Sequence, residues 1–209
     1  MKQPKPKPKV VIAAGGAIET ALLPSHLARL APWRDVFEIQ IALSDGGARL
    51  VSAEVLQTIT ANAVYTSARL IDPALNEPFH ISLASCDLLV IFPATARIVA
   101  AMALGIVECP VTRLFAFADK PRVVITPYLH PAMSLELYRP HLATLSSLGC
   151  KLILPARADD IVWREENAWL ATERHLLQRM GVNSAFHPAP TVSFVRDRAS
   201  GTSRRARTA

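Results

Sequence analysis

Leu88-Leu89-Val90-Ile91-Phe92-Pro93-Ala94-Thr95-Ala96-Arg97-Ile98 holds a strand, its stop and the start of a helix in eleven residues. The run 88–92 is apolar without alternation, as suits a strand of a parallel sheet covered on both faces. Pro93 lacks an N–H and ends the strand. Thr95 is a good helix N-cap, and an apolar helical pattern follows it to near Gly105. Small residues at 94–96 permit close approach by a planar ring. The same segment also reads as a plain strand-to-helix turn.

Working outward, further β-rich apolar runs occupy 10–14, 37–43, 122–126 and 151–154. Helical patterns fall between and after them, near 17–30, 53–61, 78–85, 95–107, 134–148 and 164–180. Strands alternating with helices predict βαβ units with right-handed crossovers. The expected fold is a doubly wound α/β domain, a Rossmann/flavodoxin-like parallel sheet with helices on both faces. One ordered domain is expected over 9–195, with basic disordered tails at 1–8 and 196–209.

Charge supports that division. The chain of 209 residues carries a formal +6. Its first nine residues hold four lysines, and 196–209 hold five arginines against one aspartate, so the remainder is slightly acidic. The basicity belongs to the ends, which read as solvated tails rather than a nucleic-acid face. No apolar run reaches the roughly 18 residues of a membrane helix, and residues 1–9 lack the apolar stretch and small-residue cleavage site of a signal peptide. A cytoplasmic protein without nucleic-acid or membrane partners is expected. Cys86, Cys109 and Cys150 show no metal-ligand or redox spacing and read as buried reduced thiols, so no metal is expected.

Two further strand ends carry residues suited to binding. The first runs Ala13-Ala14-Gly15-Gly16-Ala17-Ile18 into a helix. Glycines there let backbone N–H groups approach a phosphate at the helix N-terminus, or merely let the chain turn. The second ends Leu43-Ser44-Asp45-Gly46-Gly47, where the hydroxyl can meet a phosphate or cap an ordinary turn.

Together these segments resemble one family. Phe79-His80-Ile81-Ser82-Leu83-Ala84, then Asp87-Leu88 and Pro93-Ala94-Thr95-Ala96, are similar to the His-Ile-x-Leu-Ala, Asp-Leu and Pro-Ala-Ser-Ala-Asn-Thr signature of flavin-containing cysteine decarboxylases. That family contains phosphopantothenoylcysteine decarboxylase and the lantibiotic peptidyl-cysteine decarboxylases. Val51-Ser52-Ala53-Glu54-Val55-Leu56, Gly105-Ile106-Val107 and Asp119-Lys120-Pro121 fall at matching places. The similarity spans about 9–155.

The resemblance implies a flavin, FMN or FAD, held by Gly15, Gly16, Ala17 and Ile18, by Ser44, and by Pro93, Ala94, Thr95 and Ala96. Leu50 stands where the family packs a Phe on the ring. His80 matches the catalytic His. Ala17 lacks the family's loop hydroxyl, so contact there would be through backbone N–H groups. Arg97 replaces the signature Asn, and its fork suits a substrate carboxylate. In the substrate clamp Pro127-Tyr128-Leu129-His130-Pro131-Ala132-Met133-Ser134, His130 replaces Asn and Met133 is kept. The segment Pro155-Ala156-Arg157-Ala158-Asp159-Asp160-Ile161-Val162-Trp163 has no Cys or Gly, unlike phosphopantothenoylcysteine decarboxylases and like the peptide enzymes.

The implied activity is oxidative decarboxylation of the C-terminal cysteine of a ribosomal, lanthipeptide-type precursor peptide to an aminoenethiol. His80 and Arg97 are the expected catalytic residues, and His130 and Met133 the expected substrate contacts. A homo-oligomer, trimer or dodecamer, is implied with it. Rival readings are a flavin prenyltransferase of the same fold and a non-catalytic flavin-fold subunit that binds a partner. A plain NAD enzyme lacks its acidic ribose ligand here.

Overall fold

The computed structural model describes residues 6–155, 162–163 and 167–182. Five parallel strands form the sheet: β1 (Lys9–Ala14), β2 (Glu38–Leu43), β5 (Leu88–Ala94), β6 (Val123–Pro127) and β7 (Lys151–Leu152), in the order β2-β1-β5-β6-β7. The predicted fold class is therefore the observed one, and all five expected strands are present. Register is set by Lys9 opposite Glu38, Val10 opposite Leu88 and Val124 opposite Lys151. A short antiparallel pair, β3 (Ile71–Asp72) and β4 (Glu77–Pro78), lies outside the main sheet and was not expected.

Burial follows the pleat. Val11 and Ala13 face one core with Phe79, Val99, Leu114 and Leu142. Val10, Ile12 and Ala14 face the other with Leu27, Leu56, Trp169 and Leu176. Each face needs its own helical cover, which is why the strands read as unbroken apolar runs. The first core lies under α4 (Phe79–Ser82), α5 (Ala96–Ala103), α6 (Pro110–Phe117) and α7 (Arg139–Ser147). The second lies under α1 (Leu23–Leu30), α3 (Ala53–Thr60) and α8 (Ala168–Arg179). One further turn of helix, α2 (Asp45–Ala48), follows β2.

Helix starts are written in local chemistry. Ser52 accepts from Glu54 N and Val55 N, and Asn167 Oδ1 accepts from Leu170 N at 3.1 Å. The region 78–85 yields only the single turn of α4, and α6 was not expected as a helix. There Pro110 occupies the first helical turn, and Thr112 Oγ1 accepts from both Glu108 N and Cys109 N at 3.1 Å. Val111, Leu114 and Phe115 then fall on one buried face.

At the N-terminal edge, Pro8 O accepts from Glu38 N at 2.8 Å and Lys7 Nζ donates to Arg34 O at 2.9 Å. The rest of the expected N-terminal tail, the C-terminal tail and residues 183–195 of the expected domain lie outside the described residues. So does 156–161 of the Pro155–Trp163 segment.

Candidate functional site

Strand order reverses between β1 and β5, and ligands of open α/β sheets settle at such a switch point, beyond the carboxyl ends of the strands. There the Gly15 N–H donates to Pro93 O at 3.0 Å, tying the two loops together. Thr20 Oγ1 donates back to Gly15 O, so the turn after Gly15 is fixed from both sides. Gly16 lies against Gly46: a Cβ added to Gly16 would stand 2.9 Å from Gly46 Cα. Gly47 is as tight, its imagined Cβ 2.9 Å from Ala14 O. A side chain would fill this cradle, which leaves exposed backbone at Gly16 and Gly46 for a ligand.

Ser44, buried at the end of β2, accepts from Gly47 N at 3.1 Å as the N-cap of α2. It is thus a turn residue that keeps a hydroxyl proton to donate. Thr95 plays the same part before α5, accepting from Ile98 N at 3.4 Å. Pro93 and Ala94 are buried at the end of β5, where Pro93 O holds the Gly15 N–H, and line neither of the two cavities that open here.

Two adjoining cavities open at this point. One of about 290 Å³ is lined by Gly16, Ser44, Gly46, Thr95 and Arg97, together with Glu108 and Cys109. The other, of about 460 Å³, takes Gly16, Ala17 and Ile18 from the first loop and Thr95, Ala96 and Arg97 from the second. His130, Met133, Tyr128 and Trp163 complete it. The loop, hydroxyl and clamp residues expected from the sequence therefore meet, with Gly16, Thr95 and Arg97 shared by both spaces.

Arg97 is forked onto Glu108, Nε to Oε1 at 2.8 Å and Nη2 to Oε2 at 2.9 Å. Its side chain is 80% exposed, so the pair is screened and adjustable. His130 Nδ1 accepts from Ala132 N at 3.1 Å. In the neutral ring that assigns the proton to Nε2, so His130, which lines the second cavity, has a donor there. Trp163 Nε1 is spent on Pro127 O at 2.9 Å.

Five expected site residues line neither cavity: Gly15, Pro93 and Ala94 lie buried just behind the loops, and Leu50 and His80 stand apart from them. Leu50 lies on the exposed turn after α2, donating its N–H to Gly47 O at 2.9 Å, and lines neither cavity. His80 lies on α4, its ring 4.9 Å from that of Phe117 on α6, and also lines neither cavity. Burial lowers the His80 pKa, and the positive charge of Arg113 lowers it further. The imidazole beside α6 is therefore neutral near pH 7.

Sequence reasoning missed Glu108, Cys109, Tyr128 and Glu19. Tyr128 Oη donates to Glu19 Oε1 at 3.0 Å, across 109 positions of chain. An acidic residue in a first helical turn is ordinary dipole chemistry, so Glu19 gave no local signal. Among the described residues, no cluster suited to a metal ion is present and no helix is long and apolar enough to cross a membrane.

With this geometry in view, comparisons with known proteins converge. The family model described as Flavoprotein matches residues 1–179. A curated relative, the coenzyme A biosynthesis bifunctional protein CoaBC of Vibrio vulnificus, is 31% identical over 129 residues. That match takes in 58% of this chain and 30% of the relative, so the chain spans about a third of the length of such proteins. Among solved structures, the FMN-dependent cysteine decarboxylase TvaF from thioviridamide biosynthesis aligns with a TM-score of 0.68 at 21% identity, covering 83% of this chain and 98% of that one. SpaF, another FMN-dependent cysteine decarboxylase, aligns at 0.67 and 23%, covering 82% and 97%.

Proposed function

This chain belongs to the Flavoprotein family, and from that premise we propose that it is a flavin-dependent decarboxylase acting on the C-terminal cysteine of a ribosomally made, lanthipeptide-type peptide. The cofactor is a flavin, FMN or FAD. One observation carries the proposal: Gly16, Thr95 and Arg97 stand where two cavities join at the switch point, one bordered by Ser44 and the glycines, the other by His130 and Met133. The first suits a phosphate and ring, the second a peptide end.

The chain's residues fit the cofactor. The side-chain-free approach of Gly16 to Gly46 admits a phosphate to backbone N–H groups. Ser44 and Thr95 add hydroxyl donors, and small residues at 94–96 leave room for a ring. When bound, the flavin would accept one hydride, with its two electrons, from the cysteine side-chain carbon as the thiol gives up its proton, which makes loss of CO2 feasible.

The other roles are those of the protein. Arg97, eased off Glu108, and His130 Nε2–H present donors to the terminal carboxylate. Met133 bounds the apolar side of the same space. His80 relays a proton to or from the substrate as its neutral imidazole. In one copy of the chain it lines neither cavity, so the proposal has it act at a junction between copies, in a trimer or a larger assembly. Exposed Ile81 and Phe117 around it are suited to such a junction.

The test is direct. The flavin-loaded protein is incubated with peptides ending in cysteine, and products are weighed by mass spectrometry. Loss of CO2 and two hydrogens is expected from the free-acid peptide and not from its C-terminal amide. A prenylated flavin formed with dimethylallyl phosphate, or flavin binding with no CO2 from any such peptide, overturns the proposal.

A further inference from the structure

We propose that Tyr128 is a specificity residue of the larger cavity, accepting a hydrogen bond from the backbone amide that precedes the terminal residue of a bound peptide. The inference rests on the reading of this cavity as the seat of a peptide terminus. It starts from the committed proton of Tyr128. The phenol donates to Glu19 Oε1 at 3.0 Å. A hydroxyl has one proton and two lone pairs, so the oxygen of Tyr128 has only acceptor capacity left for a ligand.

The arrangement behind it holds that state in place. Glu19 Oε2 lies 3.8 Å from His26 Nε2, which has no hydrogen-bond partner among the described residues. The His26 ring is stacked on Trp169 at 4.5 Å and 11° and meets Phe92 edge-on at 5.8 Å. Burial lowers its pKa, so no cation takes Glu19 from the phenol near neutral pH. Burial, and then the bond to Glu19, raise the pKa of Tyr128, so the phenol keeps its proton.

The remaining polar groups of the cavity sort by sign. Arg97 offers only donors, His130 offers Nε2–H, and Thr95 keeps a hydroxyl proton after capping α5. Among the described side chains of the cavity, Tyr128 is the hydroxyl whose proton is already committed, so that it can only accept, whereas Thr95 can do either. A peptide terminus has the matching pattern: a carboxylate that only accepts, and, one residue's length away, an amide N–H that only donates. A flavin ring N–H has the same donor chemistry. Tyr128, however, borders the space with His130 and Met133 and not the one with Ser44 and Gly46.

The experiment uses the full flavin-loaded chain and two fluorescent peptides ending in serine, which cannot be turned over. One has the ordinary last amide, and the other an ester oxygen in place of that N–H. Binding is read by anisotropy. The native protein should bind the ester at least about tenfold more weakly, the worth of one hydrogen bond replaced by a lone-pair clash. Tyr128→Phe should bring the ratio close to one. Glu19→Ala should do the same by a different route, because the freed phenol proton then turns to the ligand; it serves as the test should Tyr128→Phe fail to fold. An unchanged ratio in a folded variant, no binding by either peptide, or loss of flavin from Tyr128→Phe with the ratio intact overturns the inference. Since no step is chemical, selectivity that persists where no cysteine peptide is decarboxylated would leave this inference standing and sink only the proposed activity.

Discussion

Gly16 and Gly46 touch backbone to backbone, with room for no Cβ on the first: it would stand 2.9 Å from Gly46 Cα. Neither partner has a flexible end that can yield, so Gly16→Ala must push β1's loop and α2 apart. The variant is expected to fold, at a cost of about 1–3 kcal/mol, and to lose flavin. Absorbance of the purified protein and fluorescence titration with FMN or FAD measure this. Retention of flavin at native affinity would show that the cradle is not the phosphate site.

His80 gives a pH prediction with a definite sign. Its pKa lies below the ordinary 6.5 through burial and then the charge of Arg113. If neutral His80 takes the proton, kcat/KM is level near pH 7 and falls on the acid side, below 6.5. Arg113→Met removes the repelling charge, so the acid limb should move upward toward neutrality. His80→Asn should abolish turnover and keep the flavin. A pH–rate profile of the native and Arg113→Met proteins, with a turnover assay of His80→Asn, decides the matter, and full turnover by His80→Asn removes the proposed role.

The same physics bears on stability. His26, His80 and His175 all have pKa values lowered mainly by burial. The unfolded chain therefore takes up protons first, beginning near 6.5, and stability drops as pH falls from there toward the folded values. A falling Tm between pH 7 and 5 is expected, with a shallower slope in His26→Phe, whose ring can still stack on Trp169. An identical slope would assign the effect elsewhere.

Cys86 is a counter-case. Burial is the main force raising its thiol to about 11, and it packs in the core beside Leu83 and Leu89. In the native protein it should resist alkylation at pH 8 and react on unfolding, as mass labelling can follow. Cys86→Ala should leave turnover unchanged and cost about 1 kcal/mol for the lost contacts. Rapid native labelling of Cys86 would contradict its burial.

How much of this was legible beforehand depends on range along the chain. The strand 88–92 and its Pro93 stop announced themselves through composition alone. Ser44 and Thr95 stood out because a hydroxyl capping the N–H three residues on is local chemistry. The helix over Pro110–Phe117 was missed because its start depends on Thr112 reaching back to two N–H groups, a pattern easily taken for a loop. Tyr128 and Glu19 were invisible as a pair, since only the folded sheet brings the ends of β1 and β6 together. Arg97 was singled out, but its fork on Glu108 needed the turn after Gly105 to be known. The spacing of His80 from the loops could not be judged from order in the chain.

The helix α8 has a consequence of its own. Trp169 and Leu176 cover the β5 face on which Val90 and Phe92 lie. Glu173, almost wholly enclosed, is clasped by Arg29 at 2.7 Å, and Thr172 meets Thr126 at 2.7 Å. A polypeptide cut after β7 would retain the entire sheet and the smaller cavity but lose Trp163 from the larger one, and its central strand would lie bare on one side. Such a fragment should clump during synthesis rather than work as a smaller enzyme. The last described helix thus closes the sheet's interior, and truncation that reaches into α8 uncovers it.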